Sequence, residues 1–150
     1  MRKITTFLWY NGRVKDAVDL YTSVFPDAKV INTSPGPGGL MSATLEIEGQ
    51  QVILFNGGPG HELSPAVSLY VNCESQEEVD RLWARLSEGG AESQCGWLID
   101  RFGLSWQIIP SVLPKLLQDP DREKAKRAMN AMLGMAKIDI AALEKAAEGK

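Results

Sequence analysis

Cys95-Gly96-Trp97-Leu98-Ile99-Asp100-Arg101-Phe102-Gly103-Leu104-Ser105-Trp106-Gln107-Ile108-Ile109-Pro110 sets two tryptophans, an Asp–Arg pair, a glycine turn and a strand-borne glutamine into one short stretch. Trp97 to Ile99 and Leu104 to Ile109 are short apolar runs of the kind that form strands, with Asp100-Arg101-Phe102-Gly103 as the turn between them. Two readings of this polar–aromatic cluster stand side by side. In the structural one, Asp100 accepts backbone bonds within the turn and Gly103 supplies a positive φ. In the functional one, Trp97 and Gln107 line an apolar pocket with one polar anchor. Alternate side chains of a strand face opposite sides, so Ser105, Gln107 and Ile109 share one face, and Leu104, Trp106 and Ile108 the other.

Working back from this stretch, Ala91 to Gln94 fits a further short strand, and Gly89-Gly90 ends a helix. That helix carries Val79, Leu82, Trp83 and Leu86 at helical spacing. Ser75-Gln76-Glu77-Glu78 is its capping box, with Ser75 as N-cap and Glu78 reaching back to the backbone. Ala66 to Asn72 is the strand before it. The same order precedes this one. Ile4 to Tyr10 reads as a strand and Asn11-Gly12 punctuates it. Val14, Ala17, Val18, Tyr21, Val24 and Phe25 line one face of a helix that Pro26 stops. Val30 to Thr33 is a strand, and Ser34-Pro35-Gly36-Pro37-Gly38-Gly39 a connecting loop. Leu40 to Ile47 and Gln51 to Phe55 flank a turn at Glu48-Gly49-Gln50, and Asn56-Gly57-Gly58-Pro59-Gly60 closes the half. Strand–helix–strand–strand–strand therefore occurs twice, with Tyr21 and Trp83 in comparable positions. Each unit can bury a sheet face only against another, so modules of about 1–60 and 61–110 are expected to pair in one domain, 1–110.

Residues 111–150 are a C-terminal helical extension. Asp119-Pro120 places a capping residue before a helix-start proline. Ala125, Ala128, Met129, Met132 and Leu133 line one face. Asp139 caps a last helix, with Ile138 and Leu143 as its hydrophobic staple.

With 150 residues, 44% of them hydrophobic and 23% charged, the chain has the composition of a globular domain. A chain of this length buries about 68–70% of its unfolded surface. The net charge of −3 and the lack of a basic run exclude nucleic acid and acidic membranes as expected partners. No apolar run approaches the length of a membrane span, and no signal-peptide pattern opens the chain. Cys73 and Cys95 form no C-x-x-C pair, so the expected setting is the reducing cytoplasm.

Few residues offer catalytic chemistry. His61 is the single histidine and sits in a glycine-rich loop. Glu46 and Glu48 alternate onto what reads as a solvated strand face. The Ser34–Gly39 glycines are interrupted by prolines and followed by a strand, unlike a phosphate- or S-adenosylmethionine-binding turn, which opens a helix. Cys95 has no basic neighbour before Arg101, so its thiol reads as inert. Met129, Met132 and Met135 read as a packing stripe.

Asp100-x-Phe102-Gly103-x-x-Trp106 resembles the D-x-[FY]-G-x-x-W signature of PhnB-like proteins in the vicinal oxygen chelate (glyoxalase/bleomycin-resistance) superfamily. Many relatives carry the label 3-demethylubiquinone-9 3-methyltransferase. Ile4–Gly12 resembles the family's opening strand and turn, Ala17–Phe25 its first helix and Gln76–Gly90 its second. The resemblance implies an α+β fold of two paired βαβββ modules forming an open cupped mixed sheet, generally in a homodimer. The superfamily's metal-ligand positions fall on Thr5 or Thr6, Asn56, Ala66 or Ser68, and Gln107, none of them His, Glu, Asp or Cys. No metal and no cofactor are therefore expected. The expected function is metal-independent binding of an uncharged or weakly polar small molecule, with Thr6, Asn56, Ser68, Tyr70, Trp97 and Gln107 as ligand-binding residues. The alternative is an enzyme on the same scaffold, either a methyltransferase as relatives are labelled or a metal enzyme using shifted ligands such as Glu46, Glu62 or His61.

Overall fold

The structure, a computed structural model, describes residues 2–150. These fall into two compact units, one running through Ser64 and one from Pro65 to Lys150.

In the first unit, β1 (Thr6–Tyr10), α1 (Val14–Val24), β2 (Lys29–Gly36), β3 (Gly39–Ile47) and β4 (Gln50–Asn56) follow in order. The sheet order is β1-β4-β3-β2, with β1 and β4 parallel and the other pairs antiparallel. Leu8 and Tyr10 of β1, Val52 and Leu54 of β4, and Ala43 and Leu45 of β3 are buried. They meet Ala17, Val18, Tyr21 and Val24 of α1, also buried, because both repeats, two for strands and 3.6 for a helix, put their apolar residues on one side. The hydroxyls of Tyr10 and Tyr21 hydrogen-bond at 3.1 Å within this core.

The second unit repeats the plan. β5 (Ser68–Cys73), α2 (Gln76–Ser87), β6 (Ala91–Glu92), β7 (Trp97–Ile99) and β8 (Ser105–Pro110) give the sheet β5-β8-β7-β6, with β5 and β8 parallel. Tyr21 and Trp83 are each the eighth residue of their helix. The buried residues Ala17, Leu20, Tyr21 and Val24 recur as Val79, Leu82, Trp83 and Leu86 at the same spacing. The architecture is thus α+β, two βαβββ modules followed by α3 (Val112–Leu117), α4 (Arg122–Leu133) and α5 (Ile140–Ala147).

Several local expectations shift. The Ser34–Gly39 stretch is a hairpin and not a loop: β2 continues to Gly36, Pro35 pairs with Leu40, and only Pro37-Gly38 turns. Pro35 is tolerated because β2 is an edge strand, where a missing N–H disrupts no ladder. Gly38, at φ +80°, takes the left-handed position that a turn with proline just before it requires. Helix α4 is capped by Asp121, which accepts from the amides of Glu123 and Lys124, two residues later than the expected Asp119. Asp119 instead accepts the Asp121 amide and shapes the turn. Ser75 caps α2 as expected, but Glu78 accepts the amide of Glu74 and not that of Ser75. Asp139 caps α5 through the Ala142 amide, and its staple residues Ile138 and Leu143 are fully buried. No helix among the described residues is long and apolar enough to cross a membrane.

Candidate functional site

In each module the helix covers one sheet face, and the candidate site lies on the other face of the second module. The register there is direct. Tyr70 of β5 pairs with Gln107 of β8, which pairs with Trp97 of β7. Residues opposite one another share a face, so these three side chains form a row across three strands. The Gln107 Nε2 donates to the Ser68 hydroxyl at 3.0 Å. Its Oε1 has no hydrogen-bond partner among the described residues. Four of the six expected ligand-binding residues, Ser68, Tyr70, Trp97 and Gln107, are therefore brought together. Burial, and secondarily the charge of Cys73, raises the Tyr70 phenol above its ordinary value of 10.0, which keeps it a neutral donor at any physiological pH.

Buried residues flank the row on both sides. Along β8, Ser105 on one side of Gln107 is 1% exposed and Ile109 on the other is 4% exposed. Tyr70 is 53% exposed. The Ser105 hydroxyl is buried with no hydrogen-bond partner, a polar group beside the row that a bound molecule or water would satisfy.

The turn behind the row is built by the signature residues. Asp100 Oδ1 accepts the amides of Phe102 and Leu104 at 2.9 and 3.0 Å, and its Oδ2 accepts the Trp106 indole N–H at 2.9 Å. Gly103 takes φ +96° to close the turn. Trp106 is thereby locked on the helix side, which fixes Gln107 on the opposite side. Arg101 turns away: its guanidinium donates to the Glu88 carbonyl at the end of α2 and lies over the Phe102 ring. No fixed positive charge reaches the row from it.

Thr6 and Asn56 belong to the first module. Thr6 alternates onto the helix side of β1 with Leu8 and Tyr10, and Asn56 onto the helix side of β4 with Val52 and Leu54. The Asn56 Oδ1 accepts the Gly12 amide at 2.8 Å, fastening the turn between β1 and α1. What faces away from α1 in the first module is an aromatic group that sequence reading did not single out. Phe7 and Trp9 each lie 5.3 Å from Phe55, and the His61 ring meets Trp9 edge-on at 4.7 Å. The Trp9 indole donates to the Gly58 carbonyl, and a Cβ on Gly57 would lie 2.1 Å from the Trp9 ring. The alternation of Phe7 and Trp9 along β1 was the available signal for it.

The residues present do not fit a first-row metal. Asn56 is committed to Gly12, Ser68 and Gln107 to each other, and all are neutral oxygen donors, which such ions take poorly. Glu46 instead pairs with Arg2 and Lys29 at 3.4 and 3.5 Å, and His61 packs on Trp9. Among the described residues no three His, Cys, Asp or Glu side chains group as metal ligands. A nucleotide-type cofactor finds no glycine-rich strand-to-helix turn in Ser34–Gly39, which is a hairpin.

Residues 2–109 match the family described as 3-demethylubiquinone-9 3-methyltransferase. Among solved structures, the PhnB protein of Bacillus cereus is 32% identical with a TM-score of 0.68, over 73% of this chain and 100% of that chain. PA1353 from Pseudomonas aeruginosa is 23% identical with a TM-score of 0.60, over 73% of this chain and 98% of that one. The fosfomycin resistance protein FosX from Listeria monocytogenes, in complex with Mn(II) and sulfate, is 17% identical with a TM-score of 0.54, over 71% and 90% respectively. The last two share the fold. No curated protein matches the chain.

Proposed function

The chain belongs to the PhnB-like, 3-demethylubiquinone-9 3-methyltransferase family of the glyoxalase/bleomycin-resistance superfamily, and from that premise we propose that it binds a small uncharged molecule on the helix-free face of its second module. The observation that carries the reading is the Tyr70–Gln107–Trp97 row, with the amide nitrogen of Gln107 tied to Ser68 and its carbonyl oxygen without a partner among the described residues. Two aromatic side chains flank one polar acceptor. That combination suits a flat ring bearing a hydroxyl or N–H donor. The neutral lining gives no reward to a phosphate or carboxylate. The reading requires no metal and no cofactor.

We further propose that the protein works as a homodimer in the cytoplasm. The edge strand β2 exposes Val30 and Ile31, and α4 exposes Met129 and Leu133, while both cysteines are free thiols.

The binding test is Gln107→Leu, which keeps the volume and removes the acceptor. With phenol as the probe, titration calorimetry should show binding to the parent protein and its loss in the variant. The melting temperature should stay within about 4 °C, a shift corresponding to about 1 kcal/mol for a chain of this size. A lowered melting temperature with phenol binding intact would make Gln107 a structural residue and sink the proposal.

A further inference from the structure

Ile109 lies on the same face of β8 as Gln107, yet it is buried, and what buries it comes from the helical extension. Ile109 shares one core with Leu113, Leu116, Ala128, Ile138, Leu143 and Ala147. A Cβ on Gly96 would lie 2.6 Å from the Ile109 Cδ1 and 3.2 Å from the Ile138 Cγ1, so these two isoleucines meet beside Gly96. The segment between α4 and α5 that carries Ile138 is fastened at both edges. The amides of Cys95 and Gly96 donate to the carbonyls of Met135 and Ala136, each at 2.8 Å. The Gln76 side chain accepts the Ile140 amide at 2.8 Å and donates to the Ile138 carbonyl at 3.0 Å. Lys137 pairs with Asp80 at 2.8 Å.

The first module lacks this strap. Its helix-facing Leu8 and Tyr10 correspond to Val71 and Cys73, so Phe7 corresponds to Tyr70, and by register Ile53 to Gln107 and Phe55 to Ile109. Phe7 and Tyr70 are almost equally open, at 55% and 53%. Phe55, however, ends in an aromatic group with Phe7 and Trp9, whereas Ile109 ends under Ile138. The family match stops at residue 109, so the strap lies outside the matched region.

We propose that this strap, residues 135–140, is the specificity-determining end wall of the ring-binding face, limiting the ligand to a single ring at Gln107. The proposal rests on the reading of that face given above. Its geometry is that of a strand: Ile109 is two residues from Gln107, about 6.6–6.8 Å along β8. A six-membered ring standing between Tyr70 and Trp97 fits short of Ile109. A second fused ring extending toward Ile109 meets the isoleucine pair.

The test compares phenol, with one ring, and 2-naphthol, with two, on the full chain and on two variants. Ile138→Ala removes the wall's bulk and frees Ile109 to move aside. Gln76→Ala releases two of the strap's hydrogen bonds without touching the core, and serves if the first variant folds poorly. The expected result is a gain of about tenfold in 2-naphthol affinity, the size of step that apolar pocket contacts set, with phenol affinity held within about twofold. Hydrogen exchange at the Cys95 and Gly96 amides should quicken in Gln76→Ala. Unchanged exchange, or affinities for the two probes that stay constant or move together, would overturn the strap as a wall and leave the binding face standing. Failure of phenol to bind the parent protein would remove both.

Discussion

At the scale of single residues, Asp100 carries the most structural weight. It is 2% exposed and receives two backbone amides and the Trp106 indole. Asp100→Ala strands those donors in the interior, where each unmet group costs about 1–3 kcal/mol. Urea denaturation should therefore show a loss of about 3 kcal/mol or more. Asp100→Asn should lose nearly as much, because its amide presents hydrogens to a donor on one side. Sequence reading could reach the Asp100–Gly103 turn, since both residues are typical of turns, but the bond to Trp106 needs the strand to return alongside. Asn56 was equally ambiguous: an asparagine before two glycines serves a ligand or a neighbouring amide, and only the fold brought Gly12 within 2.8 Å. Cys73 makes a chemical prediction. Burial, then the nearby Glu78 and Glu74 carboxylates, push its thiol from 9.0 up to about 12. A raised folded-state value stabilises the protonated fold, and that contribution is lost as pH rises from about 9 through about 12. Native protein at pH 8 should leave Cys73 unlabelled by iodoacetamide, with labelling only after denaturation; labelling in the native state would contradict its burial.

At the scale of elements, α1 and α2 were legible because apolar spacing is local, and so was the Ser75 cap of α2. Ser75→Ala removes the acceptor for the Glu78 amide and should cost about 1 kcal/mol in chemical denaturation. The β2–β3 hairpin was not legible. Two prolines and three glycines in Ser34–Gly39 read as a loop, and only the sheet order, which leaves β2 at an edge, makes Pro35 compatible with a strand. The shift of the α4 cap has the same origin. Asp119 and Asp121 are both competent caps, and the choice falls to the chain path leaving α3. The strap was invisible for a different reason: Gln76 and Ile138 are 62 residues apart, and nothing in either residue type announces the other. Its ion pair holds the Asp80 carboxyl below the ordinary 3.8, chiefly through the bond from Lys137 and next through that from Gln76.

At the scale of the whole molecule, the repeated strand–helix–strand–strand–strand order was the most readable feature, because each module repeats one pattern of burial at one spacing. The proposed homodimer makes the corresponding prediction. Equilibrium sedimentation at micromolar concentration should give twice the 16.4 kDa of one chain. Ile31→Lys, which places a charge on the exposed edge strand, should shift that mass toward the monomer without lowering the melting temperature. A monomeric parent protein would dismiss the dimer. The strap also has a consequence for how the chain is made. The first unit closes on residues no later than Ser64, so it can fold while the ribosome is still extending the second. Gln76, in contrast, must wait for Ile138, 62 residues downstream. At about 5–20 residues per second, that is a delay of roughly 3–12 s. Ile109, made 29 residues before Ile138, stands bare for roughly the last 1.5–6 s of that delay, and it is then that a nascent chain of this protein has most need of a chaperone.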